Sequence, residues 1–229
     1  MSWREEAKRI AALSAVDFVK DGDIVGLGSG STASYAIVEL GRKVIEEKLD
    51  ILGIPTSIKT ESLATVSGIP LTDMDFHPIL DVTIDGADQV DHDLQLIKGM
   101  GAALTREKVV ASAAKKVIIV IDETKLTSKL GLDQFVPVEV LQFAIGFIKN
   151  KLSGIGALPV LRLNSNDLPL ITDNGNYILD VNFGVISDPL SLEQKIKMMP
   201  GVVECGLFVD IADVVCVGGR KGLSILERK

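Results

Sequence analysis

Between Asp85 and Lys108 the chain sets charge beside glycine at unusual density. Asp85-Gly86-Ala87-Asp88 is followed by Lys98-Gly99-Met100-Gly101-Ala102-Ala103-Leu104-Thr105-Arg106-Glu107-Lys108. The two aspartates stand three residues apart on what reads as a strand end, Lys98 stands alone at a glycine turn, and Glu107 follows in the opening turns of a predicted helix. Carboxylates move protons, and an ammonium beside free backbone N–H groups stabilises a developing oxyanion. The residue types fit proton transfer with electrophilic assistance. The competing reading of the aspartates is a plain acidic turn.

A second cluster precedes this one. Ile24-Val25-Gly26-Leu27-Gly28 reads as a short buried strand, and Ser29-Gly30-Ser31-Thr32 opens a helix expected to run to about Glu47. A glycine-rich turn at a helix N-terminus presents unpaired N–H groups and the positive end of the helix dipole, which suits a phosphate. Ser31 and Thr32 add hydroxyl donors; the bland alternative is a turn with serine as its cap. A Walker A loop needs a lysine that is absent here. Gly28-x-Gly30-x-x-Ala33 fits the dinucleotide fingerprint, yet Asp50 precedes the apolar run Ile51–Ile54 instead of ending it, which counts against a dinucleotide.

These groups need a scaffold that gathers strand ends. Residues 4–20 read as an amphipathic helix carrying Lys8, whose default is a solvated face. Strands are expected at Ile51–Ile54, near Pro70–Leu71, at Pro78–Ile84 and at Val117–Ile121, the last a continuous β-branched run typical of a buried parallel strand. Helices are expected near Lys59–Ser67 and from about Ala102 to Ala114, and Lys125 lies just beyond the strand that ends at Asp122. Then the pattern changes: Val136–Leu141, Phe143–Leu152, Pro159–Leu163, Tyr177–Phe183, Leu192–Met199 and Val202–Phe208 alternate as β-α-β-β-α-β, the split ferredoxin-like order. Asp213–Gly218 reads as a late strand that rejoins the first sheet. The expected fold is α/β: an open, mostly parallel sheet with helices on both faces, plus an inserted ferredoxin-like domain. Residues 1–133 and 207–229 form the catalytic domain, and residues 134–206 a lid and oligomerisation domain.

Composition narrows the partners. The 229 residues carry 24 basic and 31 acidic side chains, a net charge of −7 that argues against nucleic acid. No apolar run approaches the roughly 18 residues of a membrane span, and Met1–Glu6 has no basic flank leading into an apolar run. A cytoplasmic location is expected. Cys205 and Cys216, the only cysteines, sit in apolar strand-like runs and read as reduced, buried thiols. Asp91-His92-Asp93 resembles a ligand cluster, but adjacent residues do not readily converge on one ion, so no metal is expected. No nucleophile elbow is present, and neither cysteine has an electropositive setting. No cofactor is expected.

Four blocks, taken together, make a specific pattern: Gly28–Thr32, Asp85–Asp88, Lys98–Lys108, and Thr172-Asp173-Asn174-Gly175-Asn176. Over nearly its whole length the chain resembles the type A ribose-5-phosphate isomerases. The resemblance implies an α/β fold with a ferredoxin-like lid, and metal-free interconversion of ribose 5-phosphate and ribulose 5-phosphate through a cis-enediolate. It implies Glu107 as the proton acceptor, with Asp85, Asp88 and Lys98 as its catalytic companions. Ser29, Gly30, Ser31, Thr32, Gly86, Ala87, Gly99, Met100, Gly101 and Lys125 match substrate-binding positions, and Lys8 falls where the family has a phosphate-contacting lysine. A homodimer or homotetramer is implied. Two departures stand out: Met100 replaces a usual glycine, and Gln89 a usual glutamate. Two other classes remain distinguishable by experiment: a CoA-transferase-like enzyme, with Glu107 as nucleophile in a covalent adduct, and a sugar-phosphate-sensing regulator, which would bind without turnover. The acidic charge and the lack of an evident helix-turn-helix count against the regulator.

Overall fold

Small and β-branched residues build most of this fold, as the scarcity of aromatics (4%) requires. A computed structural model describes residues 2–228; Met1 and Lys229, the ends of the expected catalytic domain, lie outside the described residues. In chain order the first elements are α1 (Trp3–Val16), β1 (Asp23–Leu27), α2 (Ala33–Arg42), β2 (Ile51–Pro55), α3 (Ile58–Val66), β3 (Val82–Gly86), β4 (Gln89–Val90) and β5 (Leu96–Ile97). There follow α4 (Leu104–Ala113), β6 (Val117–Asp122), β7 (Val136–Val140), α5 (Ile145–Ser153), β8 (Leu158–Leu161) and β9 (Tyr177–Asn182). The chain continues through α6 (Pro189–Lys197), β10 (Val202–Cys205), β11 (Leu207–Phe208), β12 (Val214–Gly219) and β13 (Gly222–Glu227). The described chain forms two compact units. One holds the chain up to Ala87, Arg106–Leu126 and the chain from Ile211 on; the other holds Asp88–Thr105 and Thr127–Asp210.

The first unit is built on a six-stranded mixed sheet in the order β13-β12-β6-β3-β1-β2. All its pairings are parallel except β12 with β13. β6 is buried at all six positions, as its uniform apolar run requires. Along β1 the side chains alternate: Val25 and Leu27 join a core with the alanines of α1 and with Ala36, Ile37 and Leu40 of α2. Ile24 packs instead with Val110 and Ala113 of α4, and a Cβ at Gly26 would overlap Val110. Helices therefore cover both faces. Helix α1 begins at Ser2, whose hydroxyl accepts from the Glu5 N–H at 3.2 Å, and seats its alanines close to β12. A Cβ at Gly218 would overlap the Ala7 backbone.

Several elements differ from their expected spans for local reasons. Helix α1 stops at Val16 and caps on Asp17, short of the expected residue 20. Helix α2 gives way at Lys43 to a wider π turn that ends at Lys48, a left-handed residue with φ 62°. The stretch near Pro70–Leu71 makes only a bridge from Leu71 to Gly53. Helix α4 starts at Leu104, not Ala102, because Ala102 is left-handed with φ 62°. Strand β13, which pairs along β12, was not expected; the Gly218–Gly222 hairpin that creates it stands where the sequence pattern fades.

The second unit contains a four-stranded antiparallel sheet in the order β10-β7-β9-β8. Ile148 and Leu152 of α5 and Ile196 of α6 share a core with Val136, Val138 and Val140 of β7. A smaller sheet, β11-β5-β4, lies in the same unit. It explains why this unit takes in more chain than residues 134–206: Leu207 pairs with Ile97, and both side chains belong to the same core.

Candidate functional site

In the first unit the glycine-rich loop leaves the carboxyl end of β1 and enters α2. Thr32 at the N-cap makes no side-chain capping bond; within the first turn of α2 the Ser34 and Tyr35 N–H groups donate to the Gly30 and Thr32 carbonyls at 3.0 and 3.1 Å. Gly30 has φ 103°, a conformation costly for other residues. Ser29 is engaged differently: its hydroxyl meets those of Thr56, Ser57 and Thr60 at 2.9, 2.8 and 3.0 Å. Thr60 in turn donates to the Gly28 carbonyl at 3.1 Å, and Thr56 to the Leu27 carbonyl at 3.0 Å. This hydroxyl cluster fixes the loop to the start of α3. Sequence reading missed it, although Thr56-Ser57 just ahead of a helical pattern is a capping signal. Lys8 lies beside the same turn: it pairs with Glu5 at 2.9 Å, and the other oxygen of Glu5 accepts from Tyr35 at the start of α2, at 2.6 Å. The Tyr35 hydroxyl, and after it Lys8, hold the Glu5 carboxyl below its ordinary range.

Asp85 closes β3 and is 4% exposed. Its Oδ1 accepts from the N–H groups of Ser29 at 3.0 Å and Gly86 at 2.7 Å. The carboxylate is thereby tied to the loop that opens α2. Glycine at position 28 is required here, because any Cβ would overlap Asp85. Glu107 lies in the first turn of α4 and is 5% exposed. The other end of that helix sits at the start of the β3 segment, where Leu80 receives the Lys115 N–H at 2.9 Å. Glu107 comes one turn before Val110, which covers Gly26. It therefore lies toward the carboxyl ends of β1 and β3, the end that carries Gly28 and Asp85. Lys125 follows β6 in a short 3₁₀ turn that Asp122 caps by accepting the Thr124 N–H at 3.0 Å.

In the second unit the chain enters at Asp88, whose N–H donates to the Ile97 carbonyl at 2.8 Å. Its carboxylate accepts the Met100 N–H at 3.0 Å, so Asp88 and the glycine turn form one piece. Lys98, at the end of β5, is 3% exposed; its N–H donates to the Gly206 carbonyl at 2.9 Å. The Lys98 ammonium stands 5.3 Å from the centre of the Phe208 ring, within cation–π range. Gly99 has φ 104° and lies against Leu104 and Pro137, so two constraints require glycine. Arg162, absent from the sequence-level reading, donates to the Gly99 and Met100 carbonyls at 2.9 and 3.0 Å. The guanidinium is itself held by both carboxylate oxygens of Asp180. The Met100 sulfur lies 3.8 Å from Nη2 of Arg162, so the departure at position 100 meets this clamp. Gln89, the other departure, accepts from the Gly131 N–H at 2.9 Å and donates to the Leu132 carbonyl. A carboxylate could not make the second bond.

Asp91 accepts the N–H groups of Asp93 and Gln95 at 3.0 and 2.9 Å, a local turn, and burial pushes its carboxyl up. Among the described residues, Glu193, Glu204 and Cys205 bring possible metal-ligand atoms within 4.8 Å of one another. Glu204, however, already pairs with Lys197 at 2.5 Å and accepts the Cys205 N–H at 2.9 Å. No described helix is long and apolar enough to cross a membrane.

The first unit is an open α/β sheet of the class that collects ligands outside the carboxyl ends of its strands, here with a glycine-rich loop leading into a helix and buried carboxylates. A family model described as ribose 5-phosphate isomerase A (phosphoriboisomerase A) matches residues 52–222. The ribose-5-phosphate isomerase A of Methanothermobacter thermautotrophicus is 50% identical over 221 residues, covering 96% of this chain and 97% of that relative. A D-ribose-5-phosphate isomerase solved in complex with phospho-erythronic acid is 46% identical, with a TM-score of 0.97 and complete coverage of both chains. The ribose 5-phosphate isomerase A of Methanocaldococcus jannaschii is 43% identical with a TM-score of 0.94, over 97% of this chain and 99% of that one. The chain belongs to the ribose-5-phosphate isomerase A family.

Proposed function

We propose that this protein is a metal-independent isomerase that interconverts D-ribose 5-phosphate and D-ribulose 5-phosphate, the reaction of the non-oxidative pentose phosphate pathway. Glu107 takes the proton from C2 of the open-chain aldose and returns it to C1 of the cis-enediolate. A positioned base of this kind contributes on the order of 10²–10⁴-fold. Lys98, with the N–H groups of Gly99 and Gly101, stabilises the oxyanion that forms as the proton leaves; one preorganised donor contributes about 3 kcal/mol. Asp85 and Asp88 carry the hydroxyl protons and assist ring opening, and Gly86 and Ala87 contact the sugar beside them. The phosphate is held by the loop Ser29–Thr32 with Lys8, and Lys125 is a further substrate-binding residue. Ser29 shapes that loop through its hydroxyl cluster.

The observation that carries this reading is a buried carboxylate in the first turn of α4, Glu107, in a chain whose sequence matches the isomerase family over most of its length. Phospho-erythronic acid, bound by a relative, supports it chemically: this phosphorylated sugar acid has the planar two-oxygen end of a cis-enediolate. We also read residues 134–206 as a lid and oligomerisation domain. The strand order β10-β7-β9-β8, with α5 and α6 between them in sequence, supports its assignment as ferredoxin-like. The protein is taken to be cytoplasmic and a homodimer or homotetramer.

The test is an isomerase assay on ribose 5-phosphate in excess chelator, run on the parent and on Glu107→Gln. The parent is expected to be fully active, and the variant to bind substrate while losing turnover by about 10³-fold or more. Activity that chelator removes would revive a metal isomerase, and near-normal turnover by Glu107→Gln would remove Glu107 as the base.

A further inference from the structure

The Thr172–Asn176 block has no part in the proton transfer, yet its side chains converge on one group. Glu139, on β7, is 0% exposed. Its Oε1 accepts from the Thr172 hydroxyl at 2.8 Å, the Asn176 amide at 2.9 Å and the Asn174 amide at 3.2 Å. Its Oε2 accepts a short bond from the Thr105 hydroxyl. These donors are neutral hydroxyls and amides. A carboxylate buried among neutral donors carries a desolvation cost that an apolar side chain would avoid. Stability is therefore a poor reason for its presence.

The geometry offers a better one. Thr105 lies in the first turn of α4, two residues before Glu107. The turn that grips the other side of Glu139 is itself closed: the Thr172 N–H donates to the Asn176 carbonyl at 2.9 Å, and the Gly175 N–H to the Thr172 carbonyl at 2.9 Å. The Asn176 N–H also donates to the Thr172 hydroxyl oxygen, at 3.1 Å. With one carboxylate oxygen locked by three donors, the other presents a fixed acceptor to Thr105.

We propose that Glu139 is a positioning residue for the isomerisation. Through the Thr105 hydroxyl it sets the rotation and axial position of the first turn of α4, and with them the carboxylate of Glu107. The Thr172–Asn176 block serves to hold Glu139. The inference rests on Glu107 as the proton acceptor.

Steady-state kinetics of Thr105→Val, Thr105→Ser, Glu139→Gln and the Thr105→Val/Glu139→Gln pair test it, with thermal unfolding run beside them. Thr105→Val removes the hydroxyl at constant shape and is expected to lower kcat by about 10- to 100-fold with KM little changed, the scale of a misplaced catalytic group. Thr105→Ser restores the donor and most of kcat. The double variant is expected to be no worse than the more damaged single, because both changes cut one link. Should Glu139→Gln fail to fold, the valine–serine contrast at position 105 decides alone. An unchanged kcat in Thr105→Val, a loss that falls on KM, or equal losses in valine and serine variants would overturn the proposal. If Glu107→Gln is inactive while Thr105→Val is unimpaired, only the role of Glu139 falls. An active Glu107→Gln overturns both readings.

Discussion

Asp85 is fixed by two backbone donors, and the space for its carboxylate exists only because residue 28 has no side chain. Gly28 keeps a backbone conformation open to any residue, so a substitution there tests sterics alone. Gly28→Ala is expected to displace Asp85, to cost about 1–3 kcal/mol of stability as an overpacked site, and to depress kcat. Gly146 is a useful contrast: it lies in α5 with open space around its Cβ position, and Gly146→Ala is expected to be neutral or to stabilise by up to about 1 kcal/mol. Denaturant unfolding of both variants checks the pair, and a Gly28→Ala protein as stable and active as its parent would refute the argument. Contiguous glycine and charge made Gly28–Thr32, Asp85–Asp88 and Lys98–Glu107 legible as candidate blocks, and the structure links members of them through the Ser29 N–H to Asp85 and the Met100 N–H to Asp88. Glu139 and Arg162 were not legible. Each reaches its target from a distant strand or hairpin, and neither local sequence advertises the contact.

At the scale of elements, single side chains pin segments that hydrogen-bonded ladders alone would leave loose. Asp81, just before β3, accepts the Ile24 N–H of β1 at 2.9 Å and the Lys115 ammonium beyond α4 at 2.7 Å. The Ile24 N–H, and after it Lys115, hold its carboxyl below the ordinary value of 3.8. A folded-state pKa below the unfolded one stabilises the fold above the unfolded value, and that gain is lost as pH falls through the folded value. Asp81→Asn is therefore expected to melt below the parent at neutral pH, with the gap closing as pH drops below about 4. Melting curves across pH 2–7 measure it; a gap that persists unchanged in acid would exclude the carboxylate as its cause. The elements were mostly legible from sequence because apolar period and turn residues agree, as in β6 and in the Asp173–Asn176 turn. Their ends were less so. Left-handed Lys48 and Ala102 stop or delay helices where composition would continue them, and β13 owes its place to pairing with β12 more than to its own half-exposed pattern.

For the whole molecule, the second unit leaves apolar surface to be covered. Phe143 is 102% exposed, and the edge strand β8 exposes Leu158 and Val160. Such an edge is an association site unless blocked. Sedimentation velocity at micromolar protein is expected to give a dimer or tetramer, with Leu158→Lys/Val160→Lys shifting it toward smaller species. A monomeric parent would remove the oligomer from the proposal.

The close seat of α1 on β12 has a further consequence, in time rather than space. Ser14 and Cys216 are 202 residues apart in sequence, yet their side chains meet, and the Ala7 backbone occupies the space above Gly218. Contacts of such sequence separation slow folding, because a long loop must close before they form. As the ribosome delivers the chain, the alanine face of α1 emerges about 200 residues ahead of its seat on β12. The six-stranded sheet of the first unit cannot be completed until β12 has been made, after the continuous Thr127–Asp210 stretch of the second unit.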